Sequence, residues 1–342
     1  MGYVNCTSCH VSPSGGGLLT DYGRSTSSEV LSTWANPKEE LFGHGMVPEL
    51  PGWLKLGGDL RSIQTYIDSP RATATSFFPM QLDLEVGLTK GAFTYVQSLG
   101  IQGGPEGSPY RNEIIAHRMY ALYNWSEEVY TRAGKYFMPY GINLPDHTNF
   151  VRKNLGFNEN QETYNLEVGQ IGELWNSILS INFGRKDKTP VDIDNGASLQ
   201  VARNIGDTHK VSGSFAYLRN NNMHRYLAGP AVLWGFTPKW TFLGEYDYQE
   251  KTNEGSAPTV QKGAVTYTRM QYEWVKGFNT YVLHQLSYTD FNELKTRVNS
   301  AGLGVLWYPR PHLEVAAEFS TSIAAVVDET TNVGWILLHY YL

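Results

Sequence analysis

The sequence predicts an all-β fold: a transmembrane antiparallel up-and-down β-barrel of about sixteen strands over residues 54–342, behind a short N-terminal segment of residues 1–53. Three observations carry that reading. From Leu54 onward, apolar and polar side chains alternate with period two in one stretch after another. The stretches run ~9–13 residues, the length of a tilted transmembrane strand. Aromatic residues make up 13% of the chain, with 22 Tyr, 9 Trp and 34 Gly, at a mean hydropathy of -0.34. That balance suits strands with one lipid-facing and one lumen-facing side. No run approaches the ~18 consecutive apolar residues of a transmembrane helix.

The strands fall near 54–66, 77–89, 91–102, 113–124, 128–138, 163–171, 174–184 and 196–204. They continue near 209–218, 225–236, 238–249, 262–274, 277–290, 298–308, 311–321 and 331–342. The second strand is the clearest. Phe78, Met80, Leu82, Leu84, Val86 and Leu88 share one face, and Gln81, Asp83, Glu85 and Thr89 the other. Lys90-Gly91, Lys276-Gly277 and Arg310-Pro311 mark tight turns. Residues 67–76, 103–112, 139–162, 185–195, 250–261 and 322–330 are expected as longer loops. Short turns at one end and long loops at the other is the bacterial outer-membrane arrangement, and an even strand count puts both barrel ends on the periplasmic side.

Later strands place charge inside. Glu245 and Asp247, then Arg269, Gln271 and Glu273, then Glu314 and Glu318 alternate with apolar and aromatic neighbours. Trp125, Trp234, Trp240, Trp274, Trp307 and Tyr308 lie near strand ends, as interfacial girdles require. A large soluble β-domain is the alternative, and it would need another way to bury the apolar stripes.

Residues 11–53 do not alternate. Val11 to Gly17 is turn-rich, and its three glycines allow close backbone approach to a flat group or serve as a flexible connector. A short helix is expected between Leu18 and Trp34, capped by Ser27 or Ser28 and ended by Asn36-Pro37. Such a segment is too small to fold alone and packs most economically inside the barrel.

Cys6-Thr7-Ser8-Cys9-His10 carries the chemistry. Two thiols two residues apart, followed by histidine, is the pattern of c-type haem attachment. Each thiol reaches one vinyl group, and His10 takes an axial position on the iron. A structural zinc site needs four ligands, and the chain has 2 Cys. A thioredoxin-type motif should follow a strand, and none precedes this one. Candidate distal ligands are Met46 and His44, with His117, Met119 and His284 on the barrel as further possibilities. Haem c is attached outside the cytoplasm, so an export leader is expected that this sequence lacks, with Met1 in its place.

A single CxxCH at Cys6, Cys9 and His10 ahead of a porin-like barrel resembles the fused outer-membrane monohaem cytochrome–porins of iron-oxidising bacteria. The run Arg132 to Gly141 is similar to the strand-to-loop passage of phosphate-selective-type porins, which implies a loop folding inward around Asp146, His147, Arg152 and Lys153. The cytochrome–porin resemblance implies one haem c in the lumen and electron transfer across the outer membrane, with an extracellular donor or acceptor such as iron. Expected partners are outer-membrane lipid, a periplasmic electron carrier such as a soluble cytochrome, and an extracellular redox partner. A net charge of -6 argues against nucleic acid. The alternative is a solute porin with a structural N-terminal plug. No hydrolytic constellation stands out, so electron transfer is expected before enzyme chemistry.

Overall fold

Alternation becomes a closed sheet because each strand pairs with its sequence neighbour and the last pairs with the first. In the computed structural model the described residues are 5–35, 50–106, 111–146, 148–157, 160–185, 194–220, 222–254, 258–326 and 329–342. The first strands are β1 (Leu54–Ser69), β2 (Ala72–Lys90), β3 (Phe93–Gln102), β4 (Ile114–Ile115), β5 (Met119–Asn124) and β6 (Val129–Tyr136). Next come β7 (Thr163–Ile171), β8 (Trp175–Phe183), β9 (Asn195–Ile205), β10 (His209–Arg219), β11 (Met223–Gly235) and β12 (Trp240–Asn253). The last are β13 (Thr259–Val275), β14 (Phe278–Tyr288), β15 (Arg297–Arg310), β16 (Leu313–Ala324) and β17 (Glu329–Tyr341). All pairings are antiparallel, and β1 closes on β17 from Asp59↔Tyr341 to Asp68↔Asn332.

β4 and β5 both pair with β3, so they are two pieces of one stave and the barrel has sixteen. The sequence predicts that stave unbroken. Its gap is satisfied by side chains: Arg118 N donates to Ser98 Oγ (2.8 Å), and Lys135 Nζ to the Ala116 carbonyl (2.6 Å). The expected long loop at 67–76 is instead strand closed by a tight turn, with Ser69 paired to Ala72. The Ser69 hydroxyl donates to the Ala72 carbonyl and accepts from its N–H, which completes the turn. The connections at 250–261 and 322–330 shorten likewise, because β12 reaches Asn253, β13 starts at Thr259, β16 reaches Ala324 and β17 starts at Glu329.

The two faces separate cleanly. On β7, Thr163, Asn165 and Glu167 are buried inward, while Tyr164, Leu166 and Val168 are exposed on the outer wall. Asp83, Glu85, Glu245 and Asp247 are buried inward; Leu82, Leu84, Ile336 and Leu338 face out. Trp125, Trp240 and Trp274 are exposed at the short-turn end, as a girdle requires. Trp307 instead packs edge-on to Trp34 at 5.7 Å, and Trp234 stacks on His209 at 4.1 Å.

The loop after β6 folds into the lumen. Met138, Tyr140, Leu144, Val151, Leu155 and Phe157 bury themselves against Leu218, Leu227, Val265 and Tyr267 of the far wall. It holds α2 (Phe150–Lys153), whose Arg152 is buried with its guanidinium 5.2 Å and 5.5 Å from the Phe137 and Phe157 rings. Gly141, at φ +57°, is required here, because a Cβ would run into the Glu245 carboxylate that accepts from Ile142 N at 2.9 Å. Asp146, Arg152 and Lys153 therefore lie on an inward loop; His147 is outside the described residues.

Arg132 and Glu167 form a fully buried pair inside the wall at 2.8 Å, with the guanidinium 3.7 Å from the Tyr136 ring centroid. Arg132→Ala should destabilise the barrel by ~3–5 kcal/mol, because it strands a buried carboxylate. Arg71 meets Glu329 at 3.7 Å with 77% of its side chain exposed, and its removal should cost less than ~1 kcal/mol. Denaturant unfolding in detergent micelles measures both; equal losses would contradict the burial argument.

Candidate functional site

Cys6, Thr7 and Ser8 form one tight helical turn, closed by Cys9 N (3.2 Å) and His10 N (2.9 Å) on the Cys6 carbonyl. Both thiols therefore sit on a single turn. The chain then doubles back: Val11 N donates to Leu18 O (3.0 Å), Thr20 N to Cys9 O (2.9 Å), and His10 bridges to Leu19. The reversal runs through Gly15, Gly16 and Gly17 at φ +82°, +72° and +68°, a left-handed run that other residues resist. A short helix, α1 (Asp21–Thr26), follows. Thr20 caps it by accepting from Gly23 N (3.0 Å), and its hydroxyl donates to Ser8 O (2.9 Å).

That cap corrects the expected one. Ser27 does not start the helix; its hydroxyl is engaged by Tyr341 Oη (2.7 Å) and His312 N (3.2 Å) of the barrel. A wider helical turn then runs over Ser27–Leu31.

The segment sits in the mouth at the end that carries the short turns. Asn5 Oδ1 accepts from Asn176 (2.6 Å) and Asn204 (3.3 Å) on one side. Thr33 N donates to the Tyr308 carbonyl (2.8 Å) on the other. Between them Arg132 donates to Ser12 Oγ (2.9 Å) and Ser14 Oγ (3.1 Å), and Asn143 of the inward loop to Ser14 O (2.9 Å). Leu18 is buried with Val96, Tyr120, Leu122, Tyr130 and Tyr136, and Val11 packs against them. Burying Leu18 alone contributes ~1.5–3 kcal/mol.

His10 is oriented by the glycine turn. Its Nδ1 lies 3.4 Å from Gly17 O, which favours the Nδ1–H tautomer and leaves Nε2 unprotonated. Burial pushes its pKa down, so the ring stays neutral. Burial also pushes the Cys6 and Cys9 thiols up, with Lys210 partly opposing the shift at Cys6. Cys6 keeps accessible surface, but it opens onto a lumen walled by protein, which desolvates the thiolate all the same. Gly15 lies against this thiol: a Cβ there would be 3.2 Å from Cys6 Sγ. Two free thiols on one turn, an imidazole with one nitrogen held and the other available, and a side-chain-free cradle fit a c-type haem. Cys6 and Cys9 would hold it by thioethers and His10 by Nε2.

The barrel-borne ligand candidates separate. His117 faces inward but its Nδ1 is 2.9 Å from Glu162 Oε1. Met119 is exposed on the outer wall, and so is His284, whose Nε2 meets Asn299 Oδ1 at 2.7 Å; neither can reach a lumen ligand. His44 and Met46 lie outside the described residues. Among the described residues no three His, Cys, Asp or Glu side chains gather as a metal site.

Sequence reasoning missed the wall that receives the segment. Val96 lies between inward Thr94 and Ser98, and Leu122 shares a face with Tyr120. Apolar residues on the polar face of an alternation are the signal that could have found it. It also missed Arg132 and the cluster in which His339 lies 2.8 Å from Asp59 and 3.0 Å from Glu314.

No protein-family model matches the chain, and no curated protein matches it in sequence. Solved structures do match in fold. OprB of Pseudomonas putida superposes with a TM-score of 0.67 at 8% identity, covering 92% of this chain and 99% of its own. The outer membrane channel DcaP of Acinetobacter baumannii gives 0.64 at 8% identity, over 84% and 97%. An anion-selective porin from Comamonas acidovorans gives 0.63 at 9% identity, over 84% and 99%. The fold is that of the sixteen-stranded outer-membrane porins.

Gly23 touches the Cys9 carbonyl so closely that a Cβ would overlap it, whereas nothing lies near a Cβ at Gly52. Gly23→Ala should loosen α1 from the Cys6–His10 loop and speed tryptic cleavage after Arg24 at least ~10-fold, the equivalent of ~1.4 kcal/mol. Gly52→Ala should leave the rate unchanged; equal rates in both would contradict the packing.

Proposed function

We propose that the chain is an outer-membrane porin-type barrel whose N-terminal segment carries one covalently attached haem c, and that it transfers electrons across the outer membrane. The observation that carries this reading is the lumen-seated turn of Cys6, Cys9 and His10, with Nδ1 of His10 on Gly17 O. Fold likeness supports the barrel and its membrane; fold alone does not supply function. The short-turn end, where both termini of the barrel lie, is the periplasmic end on this reading.

Attachment adds each S–H across a vinyl group: the sulfur bonds one carbon and the hydrogen goes to the other. Haem c, when bound, supplies a one-electron site. The chain's own part is to hold and shield it. Arg132 and Asn143 pin the Ser12–Ser14 turn, and Leu18 anchors the strand that returns beside His10. A periplasmic carrier and an extracellular redox partner complete the path.

A second reading is a solute porin in which residues 5–35 are a structural plug. It is favoured by the structural neighbours, which include an outer membrane channel and an anion-selective porin. One pair of measurements separates the readings. On the electron-transfer reading, natively matured protein gives a pyridine-haemochrome spectrum of about one haem c per chain, and Cys6→Ala/Cys9→Ala abolishes it. On the solute reading, haem is absent and planar bilayers show a large conductance that His10→Ala leaves unchanged. Folded protein matured with the attachment machinery and free of haem would overturn the first.

A further inference from the structure

The outer wall is not smooth. Register lays out the outward residues of β9, β10 and β11 as rows. Ile205, His209 and Trp234 form the row nearest the short turns, and Arg203, Val211 and Val232 the next. Val201, Gly213 and Pro230 follow, then Leu199, Phe215 and Ala228. The last two rows enclose a groove of about 380 Å³, within the ~300–1,000 Å³ of ligand sites. Its floor is Gly213, where a Cβ would meet nothing within 4 Å. Leu199, Val201 and Phe215 stand exposed around it. The groove is apolar and faces the bilayer, so its natural occupant is a hydrocarbon chain.

A cation stands at the foot of the groove. Arg203 is exposed on the same outer face, with its guanidinium 5.5 Å from the ring of Trp175, its cross-strand partner. Among the described residues no carboxylate pairs with it. Arg203 lies two residues from the strand end at Ile205, ~7 Å along the strand. A lipid-facing cation costs ~2–4 kcal/mol at the midplane and ~0–1 near the interface, where phosphates are in reach. Trp175 and the stacked His209 and Trp234 mark that interface. Beyond Arg203 the two flanking turns are acidic. Glu173 precedes Trp175 by two residues, and Asp207 sits in the turn between β9 and β10; both are exposed. Apolar groove, then cation, then carboxylates is the order of acyl chain, phosphate and ammonium in an ethanolamine phospholipid.

We propose that the outer wall of β8 to β11 binds one ethanolamine phospholipid from the leaflet at the short-turn end, periplasmic on the orientation proposed above. One acyl chain lies in the groove over Gly213, Arg203 donates to the phosphate, and Glu173 and Asp207 accept from the ammonium. The guanidinium fork matches phosphate oxygens in geometry as well as charge. This site rests on the outer-membrane barrel alone and stands with or without haem.

Native mass spectrometry tests it on folded full-length protein, delipidated in mild detergent. The protein is titrated with palmitoyl-oleoyl phosphatidylethanolamine or with the phosphatidylglycerol of the same chains. Wild type should take one ethanolamine lipid per chain before any other, at least ~10-fold more tightly than the glycerol lipid, the equivalent of ~1.4 kcal/mol. Arg203→Gln and Gly213→Leu should each weaken that step at least ~10-fold. Lys276→Gln, at another short turn, should leave it unchanged. Glu173→Gln/Asp207→Asn should abolish the preference between the two lipids. Heat-modifiable mobility shows which variants fold; should Gly213→Leu not fold, Arg203→Gln decides alone. Equal affinity in wild type, Arg203→Gln and Lys276→Gln overturns the inference, and so does equal affinity of wild type for the two lipids. Oligomers without bound lipid that Gly213→Leu splits would give the groove to a second copy of the chain, which overturns it as well.

Discussion

Closure of β1 on β17 is the constraint on which everything else depends. In a bilayer a strand cannot leave its backbone groups unpaired. A sheet with sixteen staves has no free edge once Asp59 to Asp68 pairs with Tyr341 to Asn332. Closure gives the chain two surfaces of different chemistry. The outer one is settled by lipid, and Leu82, Leu84, Ile336 and Leu338 show how plainly it is written. The inner one must be filled or wetted, and the character of this protein lies there.

Among the described residues two pieces of chain do the filling, from opposite ends. The inward loop packs against β10 to β13 through Leu155 and its apolar neighbours. The N-terminal segment packs against β3, β5 and β6 through Leu18. They meet at Ser14, whose carbonyl accepts from Asn143. Arg132 reaches the same turn while fixed by Glu167. A wall-anchored cation therefore holds the reversal that positions Gly17 O under His10. The position of the CxxCH turn depends on the barrel more than on the segment's own few hydrogen bonds.

The fold was legible because period two repeats so often that single errors cancel. The strand count survives even where β4 and β5 part, since Ser98 and Lys135 repair the gap with side chains no alternation reveals. The loop at 67–76 misled because its polar residues, Thr73, Thr75 and Ser76, look like loop and are strand; nothing local marks where the membrane ends. At the site, the spacing of Cys6, Cys9 and His10 is the signal on which the haem proposal rests. Their seat carries no such signal: Arg132 and Glu167 are 35 residues apart in sequence, and Asp59 and His339 are 280 apart. The first pair meets across neighbouring β6 and β7, with the long inward loop between them; the second exists only after closure. Met119 and His284 looked like ligand candidates because one-residue parity decides their facing, and the structure turns both to the outer wall.

The central claim is that Cys6 and Cys9 carry a haem in the mouth of this barrel. Mass spectrometry of the peptide spanning Cys6 to His10, cut from natively matured folded protein, addresses it most directly. The account predicts one peptide heavier by a single haem, with neither thiol open to alkylation. The unmodified peptide, alkylated at both cysteines, would contradict it.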